Sequence, residues 1–134
     1  MRAKEIADFL VRDELDLPCR FWKREELESW LEWCVWHGHC GLAMNKGQLV
    51  GVGIGRPIHH INDADRYYSV DYQGPLLWID LVASTNPVGM KTVWQMALDR
   101  FGERQWVAFY RFKEQLKKAH VYDFERFKSK LKGK

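Results

Sequence analysis

The chain has 134 residues, of which 46% are hydrophobic and 29% charged, with a formal net charge of +3. That length builds one domain around one core, and the composition is globular. No apolar run approaches the ~20 residues of a membrane span, residues 1–5 lead into an amphipathic segment unlike a signal peptide, and the charge is too modest to establish a nucleic-acid partner.

Residues 4–15 fit a first helix, with Ile6, Phe9, Leu10 and the polar Asp13 at helical spacing. Leu17-Pro18 ends it, and residues 19–22 connect to a second helix over residues 23–36. There Leu27, Trp30, Leu31, Cys34 and Val35 share a side, and Glu25, Glu26 and Glu28 place negative charge in the first turns, as the helix dipole favours. Gly38 is a stop. Residues 41–45 and 48–58 predict a hairpin turning at Asn45-Lys46-Gly47. Gly51, Gly53 and Gly55 alternate along its second strand and leave one face bare. A helix, an aromatic side chain or a ligand must approach that face closely, and a packed helix or aromatic is the favoured reading. Residues 59–74 form a polar loop or an irregular pair of short segments, rich in titratable groups and either solvated surface or the wall of a site.

The centre of the chain follows. Leu76-Leu77-Trp78-Ile79-Asp80-Leu81-Val82-Ala83 is an apolar run broken by one carboxylate, as in a strand buried on both faces. Asn86 and Pro87 suit the N-cap and first position of a helix over residues 88–101, with Val93, Met96, Ala97 and Phe101 on one face and Gly102 as its stop. Residues 105–112 read as a strand again. A β-α-β unit of this kind predicts two adjacent parallel strands bridged by a helix. Residues 113–119 are a helical turn or a hairpin loop. Residues 120–127 alternate as a final strand, and residues 128–134 form a basic, frayed tail. The fold class is therefore α+β, a mixed central sheet with flanking helices in a single domain over residues 1–134.

Asp80 is the first candidate catalytic residue. Burial raises a carboxyl pKa toward the range of a general base. The alternative is a structural carboxylate that accepts backbone N–H bonds at a bulge or pairs with a nearby arginine. His59 and His60 follow the second hairpin strand and have the proton affinity to take a proton near neutral pH; the alternative is two exposed loop histidines. Cys34, His37, His39 and Cys40 carry metal-ligand chemistry, but the spacing is too compact to close around one ion, so no metal is expected. Three cysteines, an odd number, point away from a disulfide framework and toward a reducing cytoplasm. Between Arg111 and Lys134 nine basic residues face three acids, interleaved with Tyr122, Phe124 and Phe127. Such a span is a solvated basic face, which is the favoured reading, or a surface that makes weak, salt-sensitive contact with nucleic acid or attracts the phosphates of CoA or an acidic carrier protein.

The order of elements, and the run Leu77-Trp78-Ile79-Asp80-Leu81-Val82-Ala83 followed by a turn and helix, resembles the GNAT acyltransferase superfamily. The resemblance is strongest over residues 76–112 and extends more weakly from residue 42. It implies an amine acylated from a thioester, with acyl-CoA lying where a central strand splays from its neighbour. The donor's pyrophosphate would rest at the start of the following helix, and the matching positions here are Asn86, Pro87, Val88, Gly89, Met90 and Lys91, beside Val82 and Ala83. The segment keeps one glycine of the superfamily's Arg/Gln-x-x-Gly-x-Gly/Ala motif and lacks its leading Arg/Gln. The resemblance also places Tyr110 near the leaving thiolate, as a proton donor; the alternative is an aromatic of the core. A narrower likeness joins the same strand, with its aspartate, to the toxin-activating lysine acyltransferases, which use acyl carrier protein as donor; the histidine those proteins carry near the N-terminus has no counterpart before Lys23. Phage proteins with degenerate GNAT-like domains share the architecture. The expected activity is acyl transfer from acyl-CoA or acyl carrier protein to an amine. The alternative is a non-catalytic GNAT-like domain that binds protein or nucleic acid, in a phage particle if phage-encoded.

Overall fold

The computed structural model describes residues 1–111 and 118–132. Its elements are α1 (Ala3–Leu10), α2 (Arg24–Trp36), β1 (Cys40–Asn45), β2 (Gln48–Ile58), β3 (Leu76–Ser84), α3 (Pro87–Arg100), β4 (Trp106–Tyr110), β5 (Ala119–Asp123) and α4 (Phe124–Lys132). The strands form one sheet in the order β1-β2-β3-β4-β5. β3 and β4 are parallel, joined by α3, and every other neighbouring pair is antiparallel. The β-α-β expectation is met, and the class is α+β. Among the described residues no helix is long and apolar enough to cross a membrane.

The two faces of the sheet are covered by different helices. α1 and α2 bury Ile6, Phe9, Leu10, Leu27, Trp30 and Leu31 against Val52, Ile54, Leu81 and Ala83. The opposite face holds Leu77, Ile79 and Val107 under Ala97 and Leu98 of α3 and Phe124 of α4. The bare face of β2 is covered by α3. A Cβ on Gly53 would lie 2.9 Å from the Val93 carbonyl oxygen, and one on Gly51 would lie 3.3 Å from that of Gly89. These glycines set how closely helix and sheet approach. Gly55, beyond a bulge, faces Leu77 and Ile79 instead.

Several expectations change. The first helix ends at Leu10, and a short 3-10 turn at Asp13–Leu15 follows, with the Asp13 side chain fully in solvent. Val35 and Met96, assigned to buried stripes, are 40% exposed, and Met96 sits instead over Gly41. The final strand stops at Asp123. The segment expected as strand end and frayed tail is a helix through Lys132, because Phe124, Phe127 and Leu131 recur at helical spacing and pack on the α3 side of the sheet. Lys128 reaches Asp99 of α3 at 3.0 Å. The expected strand end at Phe112 and most of the expected turn over residues 113–119 lie outside the described residues.

Candidate active site

The geometry of the site begins with one extra residue in β3. Ile54 of β2 pairs with Leu81, whereas the next residue, Gly55, pairs with Ile79, so Asp80 is inserted as a β-bulge. Asp80 and Leu81, consecutive in sequence, therefore line the same cavity. The ladder between β3 and β4 spans Leu76↔Trp106 to Ile79↔Phe109 and stops there. β3 runs on to Ser84, β4 only to Tyr110, and the strands part at the bulge.

A cavity of about 310 Å³ lies at that divergence. Trp78, Asp80, Leu81, Tyr110 and Arg111 supply its sheet side. Trp22 and Trp30 come from the helical layer, and Asp65 and Tyr67 from the loop over residues 59–75. That loop is thus a site wall, and two arginines hold it. Arg56, fully buried in β2, donates to the carbonyls of Asp63 (3.3 Å), Ala64 (2.5 Å), Arg66 (2.8 Å) and Ser69 (2.6 Å). Arg104 donates to the carbonyls of Tyr72, Gly74 and Phe101, each at 2.8 Å.

Arg56 is also the partner of Asp80. Its Nε lies 3.1 Å from Oδ2 and its Nη2 3.3 Å from Oδ1, with the two side chains 0% and 2% exposed. Burial pushes the Asp80 carboxyl up to about 6, while the Arg56 charge and hydrogen bond pull it back down. A carboxyl poised there is ionised at pH 7 and still able to accept a proton, but any proton it takes competes with the guanidinium.

Tyr110 joins Asp80 in the cavity wall. Its hydroxyl donates to Asp65 Oδ1 at 3.2 Å, and its ring meets Trp78 edge-on at 4.8 Å. His59 and His60 lie elsewhere. Both are exposed and outside the cavity lining: His59 sits 4.0 Å from Asp71, and the His60 Nδ1 accepts the Asn62 N–H at 3.1 Å, capping a 3-10 turn.

The start of α3 is capped at Gly89 by a side chain of its own turn. Asn86 Oδ1 accepts the Gly89 N–H at 2.6 Å, Pro87 has no N–H, and the Ser84 hydroxyl accepts the Asn86 N–H at 3.2 Å. A Cβ on Gly89 would lie 2.5 Å from Ser84 Oγ, so close packing on the end of β3 accounts for this glycine. Val82 and Ala83 pack into the two layers on opposite faces of the sheet. Val88 is 78% exposed, and Met90 and Lys91 line a groove between α3 and α4. An anion at this end of α3 must displace the Asn86 cap to reach the Gly89 N–H.

The Cys34–Cys40 segment is used for packing. Cys34 is buried in α2, and burial pushes up its thiol and that of Cys40, the latter to about 12, which disfavours thiolate ligands. His39 is 3% exposed, its Nε2 is 2.8 Å from the Tyr72 hydroxyl, and desolvation lowers its pKa to about 4.

Sequence reasoning missed Arg56, Asp65 and the aromatic wall. One signal was present. Arg56 and Asp80 are lone charges in two apolar strands, and opposite charges so placed are candidates to pair.

No protein-family model matches the chain, and no curated protein is similar to it. One solved structure, described as the crystal structure of acetyltransferase, is similar with a TM-score of 0.48 at 11% identity, over 98% of this chain and 82% of that one.

Proposed function

We propose that the protein is an acyltransferase that moves an acyl group from a thioester to an amine. The observation that carries the reading is the coincidence of three features: the Asp80 bulge, the parting of β3 and β4, and a cavity there with Asp80 and Tyr110 in its wall. The acceptor nitrogen attacks the thioester carbonyl, the C–N bond forms, the C–S bond breaks, and the amine loses a proton as the thiolate gains one. Asp80 takes the amine's proton, directly or through water, since its pKa lies near the working range. Tyr110, oriented by Asp65, is the donor to the thiolate. A backbone N–H freed from the ladder where the strands part holds the oxyanion. Placement of donor against acceptor supplies most of the rate. His59 and His60 have no place in this chemistry.

The donor is acyl-CoA or acyl carrier protein. A thermal-shift screen with acetyl-CoA, longer acyl-CoAs and acylated carrier protein tests the reading. A donor at 100 times its dissociation constant adds about 2.7 kcal/mol of stability, and no stabilisation by any of them sinks it.

The self-capped start of α3 favours a second reading, a binding domain without catalysis. Arg111, Arg126 and Lys130 flank the rings of Phe109, Tyr122 and Phe127 in one groove, a combination that suits single-stranded nucleic acid. Binding that fades steeply between 50 and 200 mM salt in an anisotropy assay is its signature.

A further inference from the structure

β1 is an edge strand of the sheet, and two bonds fix which of its backbone groups point outward. The Gly55 N–H of β2 donates to the His39 carbonyl at 3.2 Å, and the Thr85 N–H beyond β3 donates to the Val50 carbonyl at 3.0 Å. Bonding alternates along an antiparallel pair, so Gly51, Gly53 and Gly55 of β2 bond toward β1, and the even-numbered residues between them bond toward β3. In the register Gly41↔Gly53 and Ala43↔Gly51, the backbone groups of Gly41 and Ala43 are taken by β2. Those of Cys40 and Leu42 point away from the sheet, and no described residue takes them up. Such an edge is a template for another strand unless charge, proline or a covering segment blunts it. The strand, Cys-Gly-Leu-Ala-Met-Asn over residues 40–45, holds no charge and no proline. Its flank on the α3 side is apolar. A groove of about 470 Å³ runs there between strand and helix, with exposed Met44, Val88 and Met96 in its lining. The floor on that side is small: a Cβ on Gly41 would lie 3.1 Å from that of Met96, and Ala43 stands against Gly51. Leu42 packs on the other side, against the α1 and α2 layer.

We propose that the β1 edge pairs antiparallel with the β1 edge of a second copy of this chain, about a two-fold axis, and joins two five-stranded sheets into one. An axis through Leu42 makes the strand complementary to itself. It sets Leu42 against Leu42 of the second copy on the α1 and α2 side. On the α3 side it sets Gly41 against Ala43 of the second copy, small against small. Cys40 and Leu42, whose backbone groups are free, then supply bonds across the junction. The axis is perpendicular to the sheet, so both α3 helices lie on one face. Each is seated over its own β2, so three strand spacings, ~14 Å, separate them. That exceeds the ~8–10 Å of direct helix contact, and the small floor leaves the gap to Met44 and Met96 of both copies. The opposite edge does not suit a second copy. β5 is flanked in sequence by Arg111, Lys113, Lys117 and Lys118, and two copies meeting there bring like charges together. The proposal is independent of the acyl-transfer reading.

Sedimentation equilibrium of the full chain from ~1 to ~300 µM, with amide hydrogen exchange at both ends of that range, tests the junction. The expected result is a monomer–dimer equilibrium. On concentration the Leu42 amide exchanges at least ~tenfold more slowly, while the Gly41 amide, bonded to β2 in either state, changes less. The other edge supplies the control. The Phe124 N–H donates to the Gln105 carbonyl at 3.2 Å, which by the same alternation turns the Val121 amide to the outer side of β5. That amide exchanges at the same rate at both concentrations. Met44→Lys, at an exposed position, weakens dimerisation at least ~tenfold and leaves the melting curve of the dilute protein unchanged. A monomer throughout the range overturns the proposal. So does a dimer whose Leu42 amide exchanges as fast as the monomer's, or one that protects the Val121 amide instead. Dimerisation of a folded Met44→Lys chain as tight as that of the unaltered chain overturns it too. The exchange pattern is read on the unaltered chain, so it decides the matter even where the variant fails to fold.

Discussion

Replacing Arg56 with Met removes the centre of the hydrogen-bond network beneath the cavity. Four loop carbonyls lose a donor, and Asp80 is left buried without its cation. Removing one partner of a buried ion pair typically costs about 3–5 kcal/mol. For a chain of this size that lowers the melting temperature by about 10–20 °C. The pH dependence identifies the cause. The Asp80 pKa rises from 3.8 unfolded to about 6 folded, so the folded state holds this proton more tightly. Its contribution to stability is fully present below the unfolded pKa and is lost as pH rises through about 6. Without Arg56 the folded pKa climbs further, and the loss extends to higher pH. The deficit of Arg56→Met relative to wild type is therefore smaller at pH 5 than at pH 8. Arg56→Lys, which keeps a charge but cannot span the carbonyls, falls between the two. Circular-dichroism melts at pH 5 and pH 8 check both points. A variant melting within about 2 °C of wild type, or a deficit that does not grow with pH, refutes the role given to Arg56.

Asp80→Asn resembles the protonated carboxyl, so it should stay folded while acyl transfer falls by about 10²–10⁴-fold; full activity removes Asp80 from the mechanism, and a large drop in melting temperature with unchanged activity makes it structural. In the wild type the rate should rise with pH through about 6 as Asp80 ionises, and a flat profile there contradicts a base in this position. Gly53→Ala puts a methyl 2.9 Å from the Val93 carbonyl oxygen and should destabilise by about 1–3 kcal/mol in a denaturant melt; a neutral result would mean that α3 is not seated on β2 as described. His39, with a folded pKa of about 4 against 6.5 unfolded, contributes stability that is present above the unfolded value and lost as pH falls through 4. Its ring should remain neutral at pH 5.5 by nitrogen-detected NMR, and a ring protonated at that pH would show that His39 is not desolvated.

The hairpin was legible because its turn chemistry is local. Asn45 pairs with Gln48 across Lys46 and Gly47, both at positive φ, as the sequence predicts. The parallel strands were legible for a similar reason, since a buried run, a capped helix and a second apolar run have few ways to pack. The C-terminal helix was not, because alternation over residues 120–127 blends into a spacing of three and four that only Phe124, Phe127 and Leu131 reveal. Asp80 stood out as a charge in an apolar strand, but the bulge that turns it and Leu81 toward one cavity depends on the register with β2, a long-range property. His59 and His60 looked like bases by residue type alone; position in space gives one a loop contact and the other a turn to cap. Asp65 was hidden among the charges of its loop, because nothing local says which of them meets the Tyr110 hydroxyl of β4.

The most direct measurement for acyl transfer is amine-dependent release of free thiol from a thioester donor, followed at pH 7.5 with a thiol-reactive dye. Acetyl-CoA, longer acyl-CoAs and acylated carrier protein serve as donors, with a panel of primary amines as acceptors and product mass checked for the new amide. Wild-type protein is predicted to release one thiol per amide formed, and Tyr110→Phe and Asp80→Asn to do so more slowly while still binding the donor. Donors that bind but release no thiol with any amine, or release it equally without one, would contradict the assignment.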